Sequence, residues 1–156
     1  MVCFPLLAHA GGVKVGEPAP EVVLPNLVGT GDISLSSLQG KVVYLDFWAS
    51  WCPPCRVSFP IFEELRAELG EAGFEIYAIS VDEDEQEALG FLEATSAVSF
   101  PLVRDATGSA PTAYGVPGMP TGYLIDRKGV VRIIHHGFKK SDGEKLRAAV
   151  VQLLGE

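Results

Sequence analysis

Cysteine, histidine and positive charge are all scarce in this chain of 156 residues. It has 3 Cys, 3 His and 12 Lys or Arg against 20 Asp or Glu, giving a formal net charge of −8 at pH 7. The shortage of basic residues, and the lack of any basic stripe, argues against nucleic-acid binding. No apolar run approaches the length that crosses a bilayer. The length suits one domain with a single core, and we find no internal repeat or interdomain linker.

Two of the three cysteines, Cys52 and Cys55, are only three residues apart. A zinc site would need a second pair of ligands, and Cys3 and the three histidines do not supply one at a matching spacing. We therefore expect no metal site. The remaining alternatives are a redox pair and two buried structural thiols.

The residues around the pair predict a strand that leads directly into a helix. Lys41–Trp48 is a nearly continuous apolar run, typical of a central strand covered on both faces, and helical periodicity begins at Pro53. Side chains three apart in a first helical turn have Cβ atoms about 5–6 Å apart, which lets a disulfide close. The positive end of the helix dipole also favours the thiolate form of Cys52. This context favours thiol–disulfide exchange over two structural thiols.

Strands and helices alternate along the rest of the chain, which predicts an α/β fold with a mixed sheet. Pro60 is expected to kink the first helix by removing a backbone hydrogen bond. The next strand then implies a right-handed parallel crossover. A capping box at Ser141–Glu144 predicts the start of the last helix. The other predicted elements are two edge strands at Glu21–Leu24 and Ile33–Leu35, a strand at Phe74–Val81, an acidic helix at Glu83–Thr95, a short strand at Phe100–Val103, a short helix at Ser109–Tyr114, and a hairpin of Tyr123–Asp126 with Val130–Ile134.

Residues 1–10 do not resemble part of a fold. Their apolar stretch ends in Ala8-His9-Ala10, an A-x-A pattern that is typical of a secretory cleavage site. The alternative is an ordinary mobile N-terminus. We expect residues 1–10 to be a signal-peptide remnant or disordered leader and residues 11–156 to form a single domain. Only Cys52 and Cys55 would then remain, in a compartment where disulfides persist.

Three parts of the chain resemble the thioredoxin superfamily, and within it the extracytoplasmic TlpA/ResA/DsbE-like thiol-disulfide oxidoreductases. They are the D-F-W-A-S-W-C-P-P-C stretch at Asp46–Cys55, Pro60 in the following helix, and V-P-G-M-P-T at Val116–Thr121 before the hairpin. The similarity runs from about Val15 to the C-terminus. It implies a thioredoxin fold: a mixed central sheet flanked by helices, with an inserted helix–strand segment between Val81 and Val116 and an N-terminal extension.

The resemblance also implies roles for particular residues. Cys52 would be the exposed nucleophile that attacks a client disulfide, and Cys55 the resolving thiol that closes the internal disulfide. Pro120 would be a cis-proline facing the pair, although an X-Pro bond is ordinarily trans. The Met119 backbone would pair with a bound client like an added strand. Client binding is thus assigned to Trp51, Pro53, Pro54, Met119, Pro120 and Thr121.

Two acids receive candidate roles. Asp46 stands where the strand pattern asks for an apolar residue, and its resemblance-based role is the general base that takes the Cys55 proton. Its alternative is a structural acid hydrogen-bonded in the core. Many ResA-like proteins have Asn at this position. In having Asp46, this chain differs from them and resembles ordinary thioredoxins. Glu83 aligns roughly with an acid near the redox pair of ResA-like proteins; its alternative is a helix-start charge.

The remaining aromatic and histidine side chains have more modest interpretations. Trp48 and Trp51 are expected to pack around the disulfide and shape the docking surface, or else to be core aromatics. His135 and His136 end a strand and are expected at the surface rather than as ligands.

The function that the resemblance implies is reduction of disulfides in extracytoplasmic clients, such as the heme-binding cysteines of apocytochromes c. The electron donor would be a membrane thiol-transfer protein of the DsbD/CcdA kind, and no cofactor is expected because the dithiol itself carries the electrons. The protein would be a monomer in the periplasm or another extracytoplasmic compartment. It could be anchored to a membrane before processing. The alternatives are a disulfide-donating oxidase and a non-enzymatic binding module stapled by the disulfide. A peroxidase is disfavoured because Ala49-Ser50-Trp51 lacks the threonine that peroxiredoxins have three residues before the cysteine.

Overall fold

The computed structural model describes residues 11–95 and 97–156, so the leader predicted at residues 1–10 lies outside the described residues. Strands and helices alternate as the sequence pattern predicts, with ends that shift by a few residues. In order, the elements are β1 (Val23–Pro25), β2 (Asp32–Ser34), a 3₁₀ helix (Leu35–Leu38), β3 (Val42–Trp48), α1 (Pro53–Leu69), β4 (Phe74–Ser80), α2 (Glu85–Ala94), β5 (Leu102–Arg104), α3 (Ser109–Tyr114), β6 (Thr121–Ile125), β7 (Val131–His136) and α4 (Asp142–Leu154).

A five-stranded mixed sheet in the order β5-β4-β3-β6-β7 forms the centre of the fold. Strands β3, β4 and β5 are parallel to one another, β6 is antiparallel to its neighbour β3, and β7 is antiparallel to β6. Helix α1 connects β3 to β4, which is the crossover that parallel neighbours require. Strands β1 and β2 form a separate antiparallel ribbon in the N-terminal extension. The predicted α/β fold with a mixed sheet is confirmed.

The two faces of β3 enter different parts of the core, because successive side chains of a strand point to opposite faces. All seven residues of β3 are buried. Tyr44 and Trp48 pack with residues of α1, α2 and α4, whereas Leu45 and Phe47 pack with α3 and the N-terminal extension. Asp46 lies between Tyr44 and Trp48 and therefore faces the side of the sheet that α1 covers.

The start of α4 differs from the predicted capping box. Ser141 has helical backbone angles, and its side chain makes no capping hydrogen bond. The side-chain contacts at this end of the helix are made by Asp142 instead. Its Oδ2 accepts a 2.9 Å hydrogen bond from the Lys139 N–H and lies 3.2 Å from His135 Nε2. The first of these contacts is local, and the second joins the start of α4 to the end of β7.

Arg127 ties together the end of the molecule where β3 begins. Its guanidinium donates to the backbone carbonyls of Gly40, Ala72 and Leu154 at 3.1–3.3 Å. These carbonyls belong to the turn before β3, the connection from α1 to β4, and the last residue of α4. One side chain thus joins three segments that are distant in sequence.

Candidate redox site

Cys52 and Cys55 form a disulfide at the start of α1, with their Cα atoms 5.4 Å apart. Cys52 is the N-cap residue with extended backbone angles, and Pro53 begins the helix. Proline is well suited to this position because the first helical N–H groups have no intrahelical partner. The sequence pattern therefore placed the pair correctly at a strand-to-helix junction.

The exposure of the pair differs from the prediction. Cys52 was expected to be exposed, but its relative exposure in the disulfide-bonded form is 2%, and that of Cys55 is 0%. Both residues belong to the core cluster that α1 forms with the sheet. The neighbouring Trp51 is 64% exposed and Pro53 is exposed as well. Surface side chains therefore surround a largely covered disulfide.

A buried acid that the sequence analysis did not single out fixes the loop before Cys52. Asp82 is 2% exposed, and its carboxylate accepts hydrogen bonds from Ser50 N–H at 3.0 Å, from Ser50 Oγ at 2.7 Å and from Ser80 Oγ at 2.8 Å. The parallel pairing of β3 with β4 brings Trp48 opposite Ser80, so the residues that follow both strands meet. The position of Asp82 directly after a strong strand was the available signal.

The Glu83 side chain is exposed, and its backbone carbonyl accepts a 3.0 Å hydrogen bond from Arg104. Helix α2 begins at Glu85, with the Asp84 side chain as its N-cap, so Glu83 is not a charge in the first turn of that helix. The role of Glu83 near the redox pair stays a prediction, and Asp82 is the acid that contacts the loop before Cys52.

Asp46 is buried without a full set of hydrogen bonds. It is 1% exposed, and its Oδ2 has no hydrogen-bond partner among the described residues. It lies opposite Ala78 of β4 and Gly122 of β6, two small residues. Burial raises the pKa of Asp46 well above its usual range. Such a carboxyl is poised to hold a proton, on the face of the sheet that packs with Cys55.

The two tryptophans have separate environments. Trp48 is fully buried, with its ring centroid 5.0 Å from that of Phe59 and 4.9 Å from that of Phe91. It is thus a core aromatic, and the expectation that it shapes the surface is wrong. Trp51 alone of the two reaches the surface.

The Met119–Pro120 peptide bond is cis. The loop containing it is held by Thr121, whose Oγ1 donates to the Gly118 carbonyl at 2.7 Å, and by the Gly137 N–H, which donates to the Pro120 carbonyl at 2.8 Å. Thr121 pairs with Phe47 near the end of β3. The loop and the disulfide therefore lie at the same end of the sheet.

The two adjacent histidines differ as well. His136 is exposed, as expected, whereas His135 is half-buried against Asp142 and Phe138. Within residues 11–95 and 97–156 no group of three or more His, Cys, Asp or Glu could hold a metal ion. In the same residues no helix has the length and apolar character needed to span a membrane.

Several known proteins that are similar to this chain are named for thiol–disulfide chemistry. Thiol-disulfide oxidoreductase ResA from Oceanobacillus iheyensis is 36% identical over 127 residues, which are 80% of this chain and 66% of that protein. Thiol-disulfide oxidoreductase ResA from Halalkalibacterium halodurans is 38% identical over 124 residues, which are 80% of this chain and 69% of that protein. This chain therefore spans about two thirds of their length.

A solved structure from Chlorobium tepidum, assigned as a thiol:disulfide interchange protein DsbE, superimposes with a TM-score of 0.87. It is 42% identical and covers 92% of this chain and 100% of its own. The sequence profile of the Redoxin family matches residues 14–150. With a disulfide-bonded C-P-P-C at the end of a central strand, the chain belongs to the Redoxin family and, within the thioredoxin superfamily, to the TlpA/ResA/DsbE-like thiol-disulfide oxidoreductases.

Proposed function

We propose that this protein reduces disulfides in extracytoplasmic client proteins. The observation that carries the proposal is the Cys52–Cys55 pair at the N-terminus of α1 with an unpaired buried acid, Asp46, on the face of the sheet beneath it. In the reduced protein, the Cys52 thiolate attacks a client disulfide. A Cys52–client disulfide forms, and the other client sulfur leaves as a thiolate.

Asp46 acts in the second step. The Cys55 thiol gives its proton to the Asp46 carboxylate, and the resulting thiolate attacks the Cys52 sulfur of the mixed disulfide. The Cys52–Cys55 bond forms, the Cys52–client bond breaks, and the client leaves as a second thiolate. Two electrons have passed from the dithiol to the client. The dithiol is the electron carrier, and no cofactor is needed.

Clients bind across the loops that surround the disulfide. Trp51 offers an exposed aromatic surface, and an exposed tryptophan commonly anchors a protein partner. Backbone groups of Met119, beside the cis bond, pair with an extended client segment in the manner of an added strand. The remaining contacts come from Pro53, Pro54, Pro120 and Thr121.

We also propose an extracytoplasmic location, a class of client and an electron donor for this protein. The A-x-A pattern of the leader and the sparing use of cysteine support an extracytoplasmic location. Relatives named thiol-disulfide oxidoreductase and thiol:disulfide interchange protein support clients that carry disulfides. Apocytochromes c are the candidate clients that the family resemblance implies. Electrons would come from a membrane thiol-transfer protein of the DsbD/CcdA kind, and the enzyme would act as a monomer.

The test is the reduction potential of the pair. We would equilibrate the protein with graded thiol–disulfide buffers and follow fluorescence of the adjacent Trp51, with Trp51→Phe as the control that assigns the signal. A potential near or below about −270 mV supports a reductant, whereas a value near about −120 mV makes the protein an oxidase and overturns the proposal. Slow exchange with dithiothreitol would instead indicate a structural staple.

A further inference from the structure

A second group of polar residues lies on the same side of the sheet as Asp46. A cavity of about 70 Å³ lies between β3, β7 and α4. Its polar walls are Tyr44, His135, Asp142 and Lys145, and its apolar walls are Ile133, Phe138, Leu146 and Ala149. The volume is large enough for water, and the polar walls supply the hydrogen-bond partners that a water needs.

The hydroxyl of Tyr44 connects this cavity to Asp46. A Cβ built on Gly122 would fall on the Tyr44 hydroxyl, so the hydroxyl occupies the space that a side chain at position 122 would fill. Gly122 lies directly opposite Asp46 in the β3–β6 pair. Because facing Cβ atoms in antiparallel strands are about 5 Å apart, the hydroxyl lies on the order of 5 Å from the Asp46 Cβ. This is within reach of a proton transfer through one water.

The indole N–H of Trp48, which is next to Asp46 on this face of the sheet, cannot pass on a proton from Asp46. Trp48 Nε1 is buried and has no hydrogen-bond partner within residues 11–95 and 97–156, and an indole N–H can only donate a hydrogen bond. A tyrosine hydroxyl accepts and donates in the same step. Tyr44 is therefore suited to receive a proton on one side and release another on the opposite side.

The outer wall of the cavity leads to solvent. His135 Nε2 lies 3.2 Å from Asp142 Oδ2, and the His135 side chain is 33% exposed while that of Asp142 is 7% exposed. Lys145 Nζ is 3.8 Å from Asp142 Oδ1 at the rim. Burial alone would raise the pKa of Asp142, but the Lys139 N–H, the His135 contact and the Lys145 charge bring it below its ordinary value. An imidazole beside an ionised carboxylate can exchange protons with the solvent.

We propose that Tyr44 and the His135–Asp142 pair form the route by which Asp46 exchanges protons with solvent. The inference rests on the proposed role of Asp46 as the base for Cys55. The Asp46 carboxyl gives its proton to the Tyr44 oxygen, and the Tyr44 hydroxyl gives its own proton to water entering the cavity. His135 takes up that proton and releases it outside, so that Asp46 becomes a carboxylate and each intermediate group returns to its starting state.

The need for such a route follows from the burial of Asp46. Because burial raises the pKa of Asp46, this carboxyl must lose a proton before it can accept one from Cys55. A docked client covers the loops around the disulfide, and Asp46 itself is only 1% exposed. A path through the cavity would instead reach solvent at the partly exposed His135 side chain. The titratable groups facing Tyr44 are Asp46 from β3, Asp142 and Lys145 from α4, and His135 from β7.

The route is tested on the resolving step alone. Reduced protein is mixed with one equivalent of a chromophoric aromatic disulfide in a stopped-flow instrument, and release of the second thiol reports the attack by Cys55. We expect Tyr44→Phe and His135→Ala each to slow this phase about tenfold at neutral pH, a fraction of what a full general base contributes. The ratio of rates in H₂O and D₂O should rise, because proton transfer becomes limiting. Added imidazole should restore the rate of His135→Ala.

Two matched controls separate the route from a loss of packing. Tyr123→Phe removes a buried hydroxyl on the other side of the sheet, where it donates to the Tyr114 carbonyl. His136→Ala removes the exposed neighbour of His135. Both should keep the wild-type rate and isotope ratio.

The outcomes distinguish this inference from the proposed function. If Asp46→Asn slows the phase while Tyr44→Phe and His135→Ala match their controls, the route is wrong and the base stands. If Asp46→Asn also has no effect, the base role fails and the route fails with it. Should Tyr44→Phe not fold, rescue of His135→Ala by imidazole decides the question.

Discussion

Asp46 and Asp82 are both buried acids at the end of the sheet that carries the disulfide, yet their surroundings are opposite. Asp82 accepts hydrogen bonds from Ser50 and Ser80, whereas Asp46 Oδ2 has no partner in the part of the chain that the structure describes. Several donors hold the Asp82 carboxyl group in one position. Without such donors, burial disfavours the ionised form of Asp46 and raises its pKa. The difference separates an acid that shapes the loop from the acid that we propose as the base for Cys55.

The largest expected difference between the two acids is in the resolving step. Asp46→Asn should slow attack by Cys55 by about 10²–10³-fold at neutral pH, because the base is lost. Asp82→Asn should slow it by about tenfold or less, because it shifts the loop without removing a base. Stopped-flow rates across pH 5–9 check both expectations. A pH profile of Asp46→Asn that matched the wild type would show that Asp46 is not the base.

For stability, we expect the substitution of Asp82 to have the larger effect and the substitution of Asp46 the smaller one. Asp82→Ala leaves the Ser50 N–H and two serine hydroxyls without their acceptor, and we expect a loss of about 2–4 kcal/mol in the free energy of unfolding. Asp46→Asn should cause no loss at pH 7, since it removes a charge that burial disfavours. Urea unfolding of both oxidised variants gives the comparison. Equal losses for the two substitutions would remove the distinction between a structural and a reactive acid.

The smallest expected effect is the contribution of Asp46 to the pH dependence of stability. Because the pKa of Asp46 is raised in the folded protein, folding retains a proton that the unfolded chain has lost. Its stabilising contribution is present below about pH 4, the ordinary carboxyl value, and is lost as the pH rises toward the folded value. We expect the wild type to lose about 1–3 kcal/mol relative to Asp46→Asn between pH 4 and 8. Parallel urea titrations of the two proteins measure it, and identical pH curves would contradict it.

Much of the redox site was predictable because its signals are local. The cysteine spacing, the apolar run before it and the proline at the first helical position all lie within Lys41–Cys55 and agree with one another. Asp46 was recognisable as a polar residue that interrupts a buried strand. Each of these features depends on neighbours in sequence, and the structure contains them all.

What escaped prediction depends on contacts between distant segments. Asp82 and Ser50 are separated by 32 residues and meet only because β3 and β4 are parallel neighbours. The low exposure of Cys52 arises in the packed core that contains both cysteines. The capping box predicted at Ser141–Glu144 does not form: Ser141 makes no capping hydrogen bond, while Asp142 contacts His135 of β7 and the nearby Lys139 N–H.

The three carbonyls that Arg127 holds bear on the order in which the chain can finish folding. Two of them, at Gly40 and Ala72, precede Arg127 by 87 and 55 residues, whereas the third, at Leu154, follows it by 27. During synthesis from the N-terminus, the first two acceptors emerge from the ribosome before the arginine and the third only afterwards. The sheet and the redox helix can thus assemble before α4 is complete. The last bond of Arg127 then closes the molecule around a site that is already in place.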